Sequence, residues 1–367
     1  MKKVIVSVIN DLVTDQRVNR VCITLQSQGF DVLLAGRKLS NSLPVQNKPY
    51  KTKRMRLLFT KGVFFYAEYN IRLFFLLLFK RFDILHSNDL DTLPANFIIS
   101  KIRRKKLVYD SHEYFTEVPE LIGRKLTRNI WLKIEQFILP EIKNSYTVCD
   151  SLADEYNKKY GIQMKVIQNL PLYKKEIPLD YENIKKNDDK IILYQGALNV
   201  GRGIEHVIRS MKYIEKARFV IIGDGDIKDK LMDIAKTTGL GDKIIFLGRI
   251  PFDKLHAYTK QADVGISLEE NLGLSYYYSL PNKIFDYIHA EIPVLASPLP
   301  EIKAIINKYK TGLIVENHNP HDIADKLKEI LFTIPKHFWK DNLKNAKNEL
   351  CWEKQEYKLI NLYENLK

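Results

Sequence analysis

Short runs rich in Val, Ile and Leu alternate with amphipathic stretches along the whole chain, and that alternation narrows the fold more than any other feature. Parallel strands covered on both faces read as nearly unbroken apolar runs and need a helical crossover between neighbours, so the pattern predicts βαβ units with helices on both sheet faces. The runs fall into two sets. The first lies at 3–9, 30–35, 83–87, 106–109, 145–149 and 165–167, and the second at 191–194, 218–222, 244–247, 263–267, 292–296 and 312–315. Between them, residues 171–188 are polar and carry Pro171 and Pro178, the composition of a linker. The expected architecture is α/β: a Rossmann-like domain over 1–170, a linker over 171–188, a second Rossmann-like domain over 189–335, and a helical tail over 336–367 packing on either domain. Ligands of open parallel sheets collect beyond the carboxyl ends of the strands, so two such domains are expected to face a central cleft.

Composition excludes several classes. With 45% hydrophobic and 28% charged residues the chain has enough core formers to fold. Cys22, Cys149 and Cys351 are far apart and form no CxxC or His/Cys cluster, which argues against a disulfide framework or a cysteine zinc site and predicts a reducing, cytoplasmic compartment. The start reads as one short buried strand running into Asn10 and Asp11 rather than as a signal peptide. The most apolar later stretch, 71–79, contains Arg72 and is too short to span a bilayer.

The net charge of +14 is concentrated in the first half, where residues 1–170 hold 28 Lys and Arg against 16 Asp and Glu. Its dense spots, 51–56 and 101–106, are interleaved with Phe64, Phe65, Tyr66 and the apolar 73–79 stretch. Basic residues beside apolar ones suit an anionic membrane surface. A solvated basic face over a core helix reads equally well. Nucleic acid would answer to the same charge, but no zinc finger, RNP pattern or basic heptad helix accompanies it, so none is expected.

Helix punctuation supports the pattern: Pro251 and Pro281 sit where first-turn prolines are expected, and Ile204, Val207, Ile208 and Met211 form one stripe. After the run ending at Tyr194 comes Gln-Gly-Ala-Leu-Asn-Val-Gly-Arg-Gly. Gly196, Gly201 and Gly203 would let backbone N–H groups approach an anion, and Arg202 adds a fork suited to phosphate, although a plain tight turn has the same composition. Pro281 opens a helix carrying Lys283 and Asp286 three residues apart, either a phosphate and ribose pair or an ordinary surface pair. Tyr276, Tyr277 and Tyr278 read as packing under a loop. The triplets Asp89-Leu90-Asp91 and Asp224-Gly225-Asp226 invite a cation, but the second has the composition of a turn and helix cap, and neither is taken as a metal site.

Gly-Ala-Leu with Gly-Arg-Gly at 196–203, Ile-Ile-Gly-Asp-Gly-Asp at 221–226, Ile-Ile-Phe-Leu-Gly-Arg at 244–249 and Leu-Pro-Asn-Lys-Ile-Phe-Asp-Tyr at 280–287 follow one another in this order. Together with Asp-Ile-Leu-His-Ser-Asn-Asp at 83–89, Val-Tyr-Asp-Ser-His-Glu at 108–113 and Ile-Gln-Asn-Leu-Pro at 167–171, the sequence resembles retaining glycosyltransferases of family 4 over nearly its whole length. The resemblance implies the GT-B fold and transfer of a sugar from a nucleotide-diphosphate donor to a glycan or lipid-linked acceptor, as in bacterial surface polysaccharide synthesis. It implies no cofactor and no essential metal.

Carried onto this chain, the resemblance sets Arg202 and Lys283 at the donor diphosphate, Asp286 at the ribose and His112 at the transferred sugar, with Glu113 behind it. Two departures accompany it. The family's glutamate pair becomes Tyr278 and Asp286, leaving Glu270 as the stand-in for the first carboxylate, and Ala197 replaces an arginine frequent after the first glycine. Alanine at Lys283 or Asp286 is expected to abolish donor turnover with the fold intact. Other readings are a nucleotide-sugar epimerase or hydrolase of the same fold, or a noncatalytic basic module binding membrane or nucleic acid. A peripheral position on the inner membrane face, through residues 51–106, follows from the charge pattern.

Overall fold

A computed structural model describes the chain except residues 14, 41, 46, 122, 174–182, 186, 187 and 367, so much of the expected linker lies outside the described residues. The chain forms two compact units: unit 1, Met1–Asn169 with Gln355–Lys367, and unit 2, Leu170–Lys354.

Unit 1 holds strands β1 (Lys3–Asp11), β2 (Asp31–Lys38), β3 (Lys51–Arg56), β4 (Ile84–Asn88), β5 (Lys106–Ser111), β6 (Asn144–Thr147) and β7 (Lys165–Val166). Unit 2 holds β8 (Lys190–Gln195), β9 (Ala217–Ile222), β10 (Ile244–Gly248), β11 (Val264–Ser267), β12 (Val294–Ala296) and β13 (Gly312–Ile314). The first sheet runs β3-β2-β1-β4-β5-β6-β7 and the second β10-β9-β8-β11-β12-β13, with every pair parallel. This is the doubly wound arrangement expected from the alternation. Each sheet reverses its strand order once, between β1 and β4 and between β8 and β11, and open sheets offer a ligand crevice beyond the carboxyl ends at such a reversal.

The stripe Ile204, Val207, Ile208 and Met211 is fully buried against sheet 2, as its spacing predicts. Pro251 and Pro281 occupy the capping positions of their helices rather than the first turn. Strand β3 has no counterpart among the apolar runs. It is Lys-Thr-Lys-Arg-Met-Arg at the sheet's edge with Met55 alone buried, and edge strands tolerate lysine and arginine because charge blocks further pairing. Part of the basic excess is therefore a sheet edge.

The tail does not settle on one unit. Helix Lys336–Glu349 belongs to unit 2, where His289 lies 2.8 Å from the Leu350 carbonyl, whereas helix Glu356–Glu364 belongs to unit 1. The latter docks by Tyr363, whose hydroxyl is 2.7 Å from His86 Nδ1, and Tyr146 Oη is 3.2 Å from His86 Nε2. Burial, partly opposed by Asp110, pulls His86 from 6.5 to about 4. A histidine held neutral in the fold but protonated in the unfolded chain lowers stability as pH falls from about 6.5 to about 4, by up to about 3 kcal/mol. His86→Phe is accordingly expected to flatten that acid limb in urea unfolding measured across pH. An unchanged slope would remove His86 as its cause.

Helix Gly62–Phe79 extends beyond the apolar stretch seen in sequence and, among the described residues, is the one helix long and apolar enough to cross a membrane. It packs on unit 1 through Phe65, Tyr69, Leu73 and Leu77, a row spaced by four, and Tyr69 donates to the Val8 carbonyl at 2.7 Å.

Candidate functional site

At the reversal of sheet 2, β8 ends in Gln195 and β11 in Ser267, and helix Asn282–His289 brings Lys283 and Asp286 beside them. Lys283 Nζ donates to Glu269 Oε1 at 3.0 Å, and Ser267 Oγ donates to Glu269 Oε2 at 2.6 Å. Arg202 Nη1 stands 3.9 Å from the same carboxylate. Lys283 also lies over the Tyr194 ring at 4.1 Å and Arg202 over the Tyr276 ring at 4.8 Å, both distances at which a ring face attracts a cation. Burial by itself would push Glu269 up. Lys283, the Ser267 hydroxyl and Arg202 outweigh it and hold the carboxyl below its usual range. Burial likewise opposes the Lys283 ammonium, but Glu269 and Tyr194 raise it above its ordinary value. Lys283 and Arg202 thus meet at a strand-end reversal, where an anionic ligand would find two cations side by side. Asp286 accepts from Gln195 Nε2 at 3.2 Å, and Gln195 Oε1 accepts from Thr259 at 2.7 Å, which fixes the amide's orientation.

The glycine loop is shaped by packing more than the phosphate-turn reading supposed. Gly196 spends its N–H on the Ile222 carbonyl at 2.9 Å, so that group is not offered to an anion. Gly203 has φ +68°, and a Cβ there would sit 2.2 Å from the Leu268 carbonyl oxygen, so only glycine lets the loop lie against the segment carrying Glu269. Gly201 adjoins Leu272 and Tyr276 on that segment. The glycines thus bring Arg202 to Glu269.

A second cluster stands at the reversal of sheet 1. Asp110, fully buried in β5, accepts from Arg17 Nε at 2.9 Å and Arg17 Nη2 at 2.7 Å. Arg17 Nη1 also donates to the Ile167 carbonyl at 3.0 Å. His112, just past β5, places Nε2 3.1 Å from Asp110 and Nδ1 3.0 Å from Asp89, while its backbone N–H donates to Asp89 at 2.7 Å. Burial disfavours the imidazolium, but Asp89 and Asp110 together raise His112 well above its ordinary value. Burial would raise Asp110 too, and Arg17 and His112 hold it far below the carboxylate range.

Several expectations change in detail. The carboxylate at the crevice is Glu269, not Glu270. Glu270 Oε1 lies 3.7 Å from His206 Nε2 instead, because adjacent residues on an extended segment point to opposite sides. Both ring nitrogens of His112 are engaged by carboxylates, so a sugar hydroxyl would have to exchange with one of them. Glu113 lines a cavity of unit 1, and its carbonyl accepts from Ser111. Of the Asp-x-Asp triplets, Asp89 serves His112, and Asp224 accepts from the Gly225 N–H and pairs with Arg249 at 3.3 Å. Ile227, not an aspartate, caps the following helix. Tyr276 packs under Arg202. The sequence reading missed Glu269, Ser267, Arg17 and Asp110. A usable signal was the alternation Gly265, Ser267, Glu269, which continues one face of β11 past its end.

Two family profiles match the chain: "Glycosyltransferase Family 4" over residues 16–170 and "Glycosyl transferases group 1" over residues 179–336. The chain is similar to the O-antigen biosynthesis glycosyltransferase WclY of Escherichia coli, 26% identical over 263 residues that span 67% of this chain and 69% of the relative. In fold it is similar to sucrose-phosphate synthase from Thermosynechococcus elongatus, with TM-score 0.81 and 17% identity over 100% of this chain and 99% of that one. It is likewise similar to HepE of Anabaena in complex with UDP and glucose, with TM-score 0.73 and 11% identity over 100% of both chains. With one profile in each half and both sheets of the doubly wound type, the chain belongs to glycosyltransferase family 4 and is a glycosyltransferase of GT-B fold.

Proposed function

We propose that the protein is a retaining glycosyltransferase that moves a hexosyl group from a nucleotide-diphosphate sugar to a glycan or lipid-linked acceptor in surface polysaccharide synthesis. The observation that carries this reading is the meeting of Lys283 and Arg202 on Glu269 at the strand-order reversal of sheet 2. The UDP held by a structural neighbour and the O-antigen role named for a relative support it. In this mechanism the bond from the anomeric carbon to the diphosphate oxygen breaks while the acceptor oxygen bonds to that carbon on the same face. The acceptor proton passes to the departing phosphate oxygen, so no protein nucleophile is assigned. Lys283 and Arg202 stabilise the leaving diphosphate without calling on a metal, and Asp286 receives ribose hydroxyls. His112 and Glu113 stand on the acceptor unit, with His112 at the transferred sugar once a hydroxyl replaces one of its carboxylates. The enzyme works in the cytoplasm, held peripherally at the inner membrane face by the basic segment 51–106.

A thermal-shift panel with UDP, GDP and ADP sugars tests the donor assignment, because a ligand present at 100 times its Kd stabilises the fold by about 2.7 kcal/mol. One nucleotide class is expected to raise the melting temperature of wild type, and Asp286→Ala should lose the shift. Sugar release or epimerisation without any acceptor, at the full rate, would replace transfer by hydrolase or epimerase chemistry. No shift with any nucleotide sugar would overturn the donor site.

A further inference from the structure

Unit 1 encloses a cavity of about 620 Å³ between helix Gly62–Phe79 and helix Lys125–Ile138. Its walls are apolar, formed by Phe65, Tyr66, Phe115, Ile130, Trp131 and Ile134. One end is polar, with Arg37, Asp91 and Glu113. Asp91 is buried, and among the described residues its Oδ1 has no hydrogen-bond partner, nor has Arg37 Nε at the same end. That end of the cavity adjoins the His112 cluster, because Glu113, the residue after His112, lines it.

The same two helices expose an unusual amount of apolar surface. Helix Gly62–Phe79 leaves Phe64 70% and Phe79 79% exposed, with Val63, Ile71 and Phe75 also open to solvent. Helix Lys125–Ile138 exposes Leu126 at 77%, Phe137 at 74%, and Ile130. Val63 and Ile130 belong both to this surface and to the cavity wall, so the two are continuous. The exposed cations Lys61, Lys80, Arg124, Lys125 and Lys133 lie on or at the ends of these helices. Aromatic residues set among cations match the interface of an anionic bilayer, where apolar side chains enter the acyl boundary and cations meet head groups.

We propose that this cavity seats the apolar portion of a lipid-linked sugar acceptor, which enters from an anionic bilayer docked on the exposed faces of the two helices, with the acceptor's polar head toward the end that carries Arg37, Asp91 and Glu113. The proposal rests on the transferase reading above and narrows its acceptor from glycan or lipid-linked to an amphiphile. The apolar walls accept a hydrocarbon segment, the polar end faces its head, and the exposed face supplies the route between bilayer and cavity.

The test uses the full chain with phosphatidylcholine vesicles containing phosphatidylglycerol, against phosphatidylcholine alone. Wild type is expected to sediment with the anionic vesicles, and Phe64→Ser/Phe79→Ser to bind about tenfold more weakly or worse, since two phenyl rings no longer leave water. Both substituted side chains are exposed, so circular dichroism melts should match. Vesicles with brominated acyl chains should quench Trp131 emission, isolated from Trp339 and Trp352 by difference against Trp131→Phe. Vesicle binding without Trp131 quenching would overturn the cavity assignment. No vesicle binding, or a concentration-dependent dimer buried on this face in its place, would overturn the whole proposal. The nucleotide-sugar shift, run on the same preparations, reads the donor site separately, so its loss would sink the transferase reading without touching vesicle binding.

Discussion

Lys283→Ala is expected to cost the protein both its donor turnover and a large part of the stability of unit 2. The ammonium is the nearest cation to Glu269, a carboxylate with no exposure, and Arg202 stands too far off at 3.9 Å to replace it without moving. Removing one partner of a buried ion pair leaves the other uncompensated and costs about 3–5 kcal/mol. For a domain of this size that corresponds to a fall in melting temperature of roughly 10 °C. The expectation from sequence that alanine at this position spares the fold therefore does not hold once Glu269 is seen. Lys283→Ala/Glu269→Gln separates the two roles: the glutamine stays within reach of the Ser267 hydroxyl without a stranded charge. The double variant should recover most of the melting temperature and still show neither turnover nor a nucleotide-sugar shift. Asp286→Ala offers a second single change, because it removes the acceptor of the Gln195 amide while the Lys283–Glu269 pair stays in place. A Lys283→Ala protein with wild-type melting temperature and an intact donor shift would remove the pair from both roles.

The pair also bears on how the crevice would receive a diphosphate. In the free chain Lys283 and Arg202 share one carboxylate, so an arriving anion meets cations already in place and held by ring faces and Ser267-anchored Glu269. Preorganised charge of this kind needs little rearrangement as negative charge develops on a leaving group. Glu269 keeps the cations from repelling one another before the ligand arrives.

The architecture was legible in the sequence because parallel strands are buried on both faces and so announce themselves as apolar runs. Strand β1, and β8 with its glycine turn, are examples. Strand β3 escaped because its hydrogen bonds lie at an edge where selection favours Lys51, Lys53 and Arg54 over Val or Ile, and no composition rule separates such a strand from a basic loop. The tail's division between units was illegible for another reason: Trp339 and Tyr363 both signal burial, but an apolar spacing does not say against which unit. At the crevice, Arg202, Lys283 and Asp286 were legible through motif order, whereas choosing Glu269 over Glu270 required the register in which the chain leaves β11. Arg17 and Asp110 lie far apart in sequence and meet only because β1 and β5 flank β4, a pairing that topology supplies and local pattern does not.

Asp110→Asn is expected to have the largest effect in unit 1 and to move its pH dependence. The substitution removes the charge that takes two hydrogen bonds from Arg17, a guanidinium only 3% exposed, and leaves that cation with the Ile167 carbonyl, the Tyr146 ring and one neutral amide oxygen. The expected loss is again about 3–5 kcal/mol at neutral pH. The sign of the pH effect follows from the two shifted groups. Asp110 is depressed in the fold, so its stabilisation is present above the ordinary carboxylate range and disappears only as pH falls through a strongly acidic value. His112 is raised, so its stabilisation is complete below the usual imidazole range and is lost as pH climbs through the raised value. Wild type should therefore carry the cluster's full contribution between the ordinary carboxylate and imidazole ranges and lose the His112 part progressively as pH climbs toward the raised value. In Asp110→Asn, Asp89 remains to support the imidazolium, so the alkaline loss should be smaller and complete at lower pH. Chemical unfolding of both proteins at a series of pH values reads the two effects together, with His112→Gln as the control that abolishes the alkaline step. Parallel stability curves for wild type and Asp110→Asn, offset or not, would show that Asp110 does not hold the charge on His112.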